Sequence, residues 1–483
     1  MENRYDAIVI GTGCGGSGTA ALLSSMGAKV LLLERSRDIG GRTATYEKEG
    51  FKLDHGHIVM RSHKGPHGEV LRLAGCPDLI PKFSTIGDWG VKVLIGDKYL
   101  DIFPNIMKHV TSLKGIRQTL SFGLGPKDYL ALARMVATEL RSSERYIRKH
   151  FDQMDLASYI AQFTDNFYIR TYYSGVAVVA YGAVASQTCA GEHVRVHRGA
   201  YSDHGAIGYP VNGEGISAIP KSFVRAAVRL GGVIQTSAPV EGIIIEGGRA
   251  KGVRVGGENI FADIVVSNAG IRETVNKLAG PEHFDPAYVK RINSLKYSYA
   301  GLSIKYALDK PISRYGWCSY IPDNMERINA QMSEGGMPDA LPFMAVVGSN
   351  IDPTLAPPGK QSISVLSGGP IVEGVNMDWK KVISVLKTQV KQWFPEIEEH
   401  TLFCDIALPA AIAKSTGRTF GDAIGVAQTI DQVGTFRPSK VSPVQNLFYV
   451  GADVGRGQMA SELASQSAIA LYNHLKKTGW KPA

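Results

Sequence analysis

The chain has 483 residues, 44% of them hydrophobic and 20% charged, with a formal net charge of +9. That balance supports a large buried core and excludes disordered, collagenous and disulfide-scaffold classes, and the length favours two domains over one. The positive charge suits an anionic membrane surface or nucleic acid, but no nucleic-acid recognition motif is present.

The first apolar run, 7–10, predicts a buried parallel strand. Gly11, Gly13 and Gly16 follow as G-x-G-x-x-G, with Ala20 on the next helix. Gly11 allows a tight turn, Gly13 a close approach of backbone to a pyrophosphate, and Gly16 with Ala20 tight packing of helix on strand. The helix N-terminus offers free N–H groups to phosphate. A second strand, 30–33, ends in Glu34, whose carboxylate suits ribose hydroxyls. This order predicts a dinucleotide-binding unit. A strand so close to Met1 leaves no room for a signal peptide. The five scattered cysteines have no metal or redox spacing, so reduced thiols and a cytoplasmic setting are expected, with Cys14 as a packing residue.

Beyond Glu34 and Arg35 stand Gly40, Gly41 and Arg42. Two glycines admit a ligand close to the backbone, and Arg42 can pair with a diphosphate. A turn carrying a surface arginine is the alternative. A second clamp suits FAD, which is long enough to need one. His55 and His57 flank Gly56, but no third ligand lies nearby in sequence, so no metal is expected.

Segment 103–140 reads as helical and basic, with Lys108, Lys114, Arg117, Lys127 and Arg134 set among apolar residues. It is either a membrane-facing surface or a solvated helix face. The run 141–150 is basic and exposed in expectation. No stretch is apolar for long enough to span a bilayer; the longest nearly uncharged one is 175–186. Strands are predicted at 233–236, 240–245, 250–255 and 264–266, and again at 302–308, 343–347 and 362–366. A helix follows over 379–393, then a strand at 447–450, Gly451-Ala452-Asp453, and a closing helix over 461–477. The whole predicts an α/β chain. A discontinuous Rossmann-like FAD-binding domain (1–75, 200–290, 415–483) alternates with an α+β substrate-binding domain (76–199, 291–414).

Stretches 8–43, 208–270 and 419–475 resemble the flavin-dependent phytoene desaturase family, which includes carotenoid isomerases and retinol saturase, within the flavin amine oxidase superfamily. The resemblance implies a GR2-type fold and a cofactor site of Gly11, Gly13, Gly16, Glu34, Arg35, Gly41 and Arg42. To these it adds His57 and Ile58 beneath the flavin edge, Val240 at the adenine, Asp453 at the ribityl or diphosphate, and Met459 at the start of the last helix. The segment 300–305, AGLSIK, resembles the amine-oxidase strand whose lysine holds a water at the flavin, which makes Lys305 the catalytic candidate. A lysine at the end of an edge strand is the other reading. The tail 455–460, GRGQMA, lacks the tyrosine of the aromatic amine cage, and no cysteine just before it offers a covalent flavin link. The loop at 212–215, NGEG, departs from the adjacent glycines usual in desaturases.

The implied function is hydride exchange between non-covalent FAD and C–C bonds of an apolar, isoprenoid-like substrate, by desaturation, saturation or isomerisation. Contact with an anionic membrane is expected, and the electron acceptor is unspecified. The alternatives are an amine oxidase using Lys305 and, outside enzymes, a prenyl-binding protein like the Rab GDP-dissociation inhibitors.

Overall fold

The computed structural model describes residues 4–56, 60–61, 64–85, 88–102, 113–202, 207–334, 336–369 and 377–482. Two seven-stranded sheets organise them. In the first, five strands run parallel: Val233–Gln235, Val30–Leu33, Arg4–Ile10, Glu258–Ser267 and Leu447–Tyr449. Glu258–Ser267 is long enough to pair twice on one side. Its first half meets Arg249–Val255, the middle strand of an antiparallel meander that begins with Val240–Glu246, and its last residues meet Leu447–Tyr449. Strands from the start, middle and end of the chain thus share one sheet.

Residues 7–10 are buried on both faces, as a central parallel strand requires. Ala7 and Val9 pack beneath the helices Cys14–Ser25, Ala218–Arg229 and Ala460–Lys477. Ile8 and Ile10 pack on the opposite side with Val275, Phe284 and Tyr449. Gly18 lets the opening helix lie close to the other two: a Cβ there would stand 3.4 Å from Ala468 and 3.5 Å from Phe223.

The second sheet runs Thr401–Ala407, Ala300–Leu308, Gln361–Gly369, Phe343–Val346, Trp317–Ile321, Val91–Ile95 and Lys98–Ile102. It joins residues 91–102 to 300–407, two stretches far apart in the chain. The helix Trp379–Trp393 covers one face through Val382, Leu386 and Val390. Ala300–Leu308 lies between two strands and is buried throughout, so Lys305 does not end an edge strand.

The helical region is broken: Leu113–Ser121 and Pro126–Arg141 are separate helices, followed by Glu144–His150. Residues 103–112, with Lys108, lie outside the described residues. Gly125 and Pro126 explain the break, since Pro lacks an N–H and favours the first helical turn. All five cysteines are free.

Candidate functional site

A cleft of about 380 Å3 lies where the parallel strands end. Gly11, Gly13, Glu34, Arg42, Val240 and Asp453 all line it, so residues from both ends of the chain face one space. A larger cavity, about 500 Å3, opens by Lys92, Tyr315 and Trp393 against the second sheet. It shares no lining residue with the cleft, so size alone does not locate the chemistry.

The glycines are sterically required. Gly11 has φ +92°, and its N–H donates to Leu33 O at 2.7 Å. A Cβ on Gly16 would stand 1.9 Å from Gly11 O, inside the turn itself, and one on Gly15 would meet Gly451 N at 2.8 Å. The start of the opening helix therefore packs against the tail, with Asn268 beside the contact. The helix Cys14–Ser25 then points its N-terminal N–H groups at the cleft. Cys14 is a packing residue, because burial pushes its thiol up to about 12.

Glu34 faces the cleft and also braces the turn. Its Oε2 accepts from Thr12 N at 2.8 Å and Thr12 Oγ1 at 2.6 Å, and Oε1 accepts from Ser36 N at 2.9 Å. A carboxylate has about four acceptor positions. Three are occupied, which leaves one for a ribose hydroxyl rather than the expected pair.

At the other end, four charged groups form a chain. Arg42 Nη1 donates to Asp422 Oδ2 at 2.8 Å and to Asp422 O at 3.0 Å. Arg418 Nε donates to Asp422 Oδ1 at 2.7 Å, and its Nη2 to Asp453 Oδ1 at 2.9 Å. Asp453 also accepts from Ile271 N at 2.9 Å, Val426 N at 3.0 Å and Arg418 Nη1 at 3.3 Å. Burial acts to raise the Asp453 carboxyl, but Arg418 and these N–H groups outweigh it and hold it down at about 2. Its acceptor positions are filled by protein groups, although it lines the cleft. It fixes Arg418, which lines the cleft beside Arg42. Buried Arg437 secures the same loops, donating to Ala452 O at 2.6 Å and Val426 O at 2.9 Å.

Lys305 does not line the cleft. It is 2% exposed, and its Nζ donates to Ser303 Oγ at 2.8 Å. Burial pushes its amine down to about 8 against the pull of Asp54 and Asp405. It acts electrostatically on Asp54 and His55, next to Gly56, which does line the cleft. Asp54 is itself buried, accepting from Tyr209 OH, from Thr45 Oγ1 at 2.6 Å and from Ile216 N at 3.2 Å. Burial raises its carboxyl to about 6. Gly215, with φ +59°, makes that packing possible: a Cβ there would stand 2.5 Å from Asp54 Oδ1.

Of the other expected residues, Arg35 and Gly41 line the cleft. Gly16 sits behind it in the turn. Met459 caps the last helix without lining the cleft, whereas Ala460, Ser461 and Ala464 do line it. His57 and Ile58 lie outside the described residues. The sequence reading missed Thr12, Asn268 as a spacer, Arg418 and Asp422. Arg418 and Asp422 stand four apart, but in a loop, where spacing carries no signal.

Comparison with known proteins agrees with this geometry. Residues 18–461 match the family described as flavin containing amine oxidoreductase. The chain is similar to a chloroplastic prolycopene isomerase from Daucus carota, 26% identical over 98% of this chain and 80% of the relative. It is also similar to a lycopene-forming phytoene desaturase from Pseudescherichia vulneris, 23% identical over 96% of this chain and 98% of the relative. An oxidoreductase from Methanosarcina mazei shares the fold, with a TM-score of 0.74 and 21% identity over 97% of this chain and 100% of its own.

Two outcomes follow from the charges. Asp453→Asn leaves a buried guanidinium half-compensated, so it should cost about 3 kcal/mol in stability and weaken FAD binding about tenfold or more. Chemical denaturation and FAD titration check both; unchanged FAD affinity would remove Arg418 from the grip. Lys305 titrates at about 8 in the fold and at 10.5 ordinarily. Its charge therefore opposes folding fully below pH 8, and the penalty fades between pH 8 and 10.5. Lys305→Met should raise the melting temperature at pH 7, with the gain shrinking as pH approaches 10.5, in calorimetry across that range.

Proposed function

The chain belongs to the flavin containing amine oxidoreductase family and is an FAD-dependent oxidoreductase, and from that premise we propose that it makes, reduces or shifts C–C double bonds in an apolar isoprenoid chain. The observation that carries the reading is the cofactor cleft, in which the glycine turn, Glu34 and the Arg42–Asp422–Arg418–Asp453 chain converge. The substrate class is supported by the carotenoid-acting relatives and by the missing tyrosine in 455–460.

Bound FAD supplies hydride exchange at its ring nitrogen. The protein's part is placement and charge. Arg42 and Arg418, whose charges Asp422 and Asp453 already balance, would hold the diphosphate as hydrogen-bond donors together with the helix N-terminus. Lys305, charged below pH 8, is coupled to Asp54 behind residues 54–56, so the charge of this pair would be felt at Gly56 on the edge of the cleft. No cysteine among the described residues is placed to link the flavin. Cys14, the one that lines the cleft, is buried with its thiol held protonated, which supports non-covalent binding of FAD.

The substrate would reach the enzyme from a membrane. No helix among the described residues is long and apolar enough to cross one. Instead, Leu113, Leu120 and Leu130 are 81%, 61% and 63% exposed, among exposed Arg117, Lys127, Arg134 and Arg141. Leu113, Arg117 and Leu120 fall on one stripe of their helix, and Lys127, Leu130, Arg134 and Arg141 on one stripe of the next. Apolar side chains set among cations suit the interface of an anionic bilayer. The exposed face of these helices is thus the surface proposed to meet it.

Two measurements test this reading. Anaerobic holoenzyme mixed with polyenes or retinoids in liposomes should bleach the flavin or alter the polyene by chromatography, and acid precipitation should release the flavin. Bleaching by amines with polyenes inert would contradict the proposed substrate class. In flotation assays the protein should rise with anionic vesicles but not neutral ones, and Leu120→Glu with Leu130→Glu should abolish this. Failure of the unaltered protein to float would sink the membrane contact.

A further inference from the structure

A second group of ligand atoms is buried away from the cleft. Glu139 lies on Pro126–Arg141, and His193 and His197 stand four apart on Ala190–Ser202, hence on one side of that helix. Glu139 Oε1 lies 3.6 Å from His193 Nε2, and Glu139 Oε2 lies 3.3 Å from His197 Nδ1. The three side chains each present one ligand atom within 4.8 Å of the others. Glu139 and His193 are fully buried, yet Glu139 Oε2 and His193 Nε2 take part in no hydrogen bond. Unmet polar atoms in a core are uncommon and costly, and a cation between them would satisfy both.

We propose that Glu139, His193 and His197 bind a divalent transition-metal ion of the zinc type. Zinc bonds of about 2.1 Å at tetrahedral angles set ligand atoms about 3.4 Å apart, and each imidazole nitrogen stands near that distance from one oxygen of Glu139. Two imidazoles and one carboxylate suit zinc and disfavour calcium or magnesium, which prefer oxygen. Outer partners are in place. Tyr181 OH lies 3.2 Å from His193 Nδ1, where it can fix the ring with Nε2 turned to the ion. Tyr159 OH donates to Glu139 Oε1 at 3.4 Å. The His197 side chain is 25% exposed, so water can complete the coordination from that side.

The ion would act as a clamp. It ties the helices Pro126–Arg141 and Ala190–Ser202 together, and the residue before His193 carries the restraint onward. Glu192 Oε2 accepts from Gly457 N at 2.8 Å and from Gln428 Nε2 at 3.0 Å, in the loops leading to the last helix. Metal would therefore stiffen these two helices against the cofactor half. The motif escapes sequence inspection because Glu139 sits on a different helix from the histidine pair.

The test uses flavin-loaded protein stripped with chelator and then titrated with Zn2+ or Co2+. The expected result is one ion per chain by elemental analysis, a higher melting temperature with Zn2+, and tetrahedral Co2+ bands to the red of the flavin band. Tyr181→Phe should weaken uptake about tenfold, and Glu139→Gln and His193→Gln should abolish it. The cobalt spectrum of the unaltered protein decides the matter if those variants fail to fold. No stoichiometric uptake, or uptake equal in unaltered protein and variants, would leave only a buried Glu–His pair and overturn the proposal.

Discussion

Everything in the cofactor half depends on a buried ion pair between residues near the tail, Arg418 and Asp453. Burying two such charges is costly, and a well-packed apolar pair would often serve stability as well or better. The pair makes sense as a holder of charge. Asp453 is tied to the backbone at Ile271 and Val426, so the guanidinium it carries cannot swing away from the cleft. Asp422 fixes the other edge of Arg418 and also Arg42, which comes from the opening unit. Two cations from distant parts of the chain thus share one anchoring carboxylate, and with Asp453 the four side-chain charges balance.

The close packing of the two ends follows from the same arrangement. The tail at Gly451 comes so near the opening helix that position 15 admits no side chain. Asn268, at the end of the middle strand, fills the space between them. The fingerprint is usually understood as a phosphate turn; here Gly15, set between its glycines, also makes room for a strand end more than 400 residues away.

What could be read from the sequence was whatever one contiguous stretch encodes. The glycine turn, the continuous apolar run of 7–10, the acid at 34 and the meander at 240–267 all lie within short windows, where periodicity and turn chemistry act. Arg418, Asp422, the bracing of Glu34 by Thr12, and the cluster of Glu139 with two histidines depend on pairing between loops or separate helices. No spacing rule reports such contacts. Lys305 is intermediate. Its strand was legible, but its burial follows from neighbours at Thr401–Ala407 and Gln361–Gly369. Asp453 was legible as a residue of the cleft, but its partners Arg418, Ile271 and Val426 were not, because the local sequence does not reveal them.

The central claim is that both ends of the polypeptide close on a single flavin dinucleotide. Hydrogen–deuterium exchange with and without FAD addresses it directly. The account predicts that amides in 11–18 and in 450–461 gain protection together and at the same FAD concentration. Protection confined to the opening turn, with 450–461 exchanging as before, would contradict it.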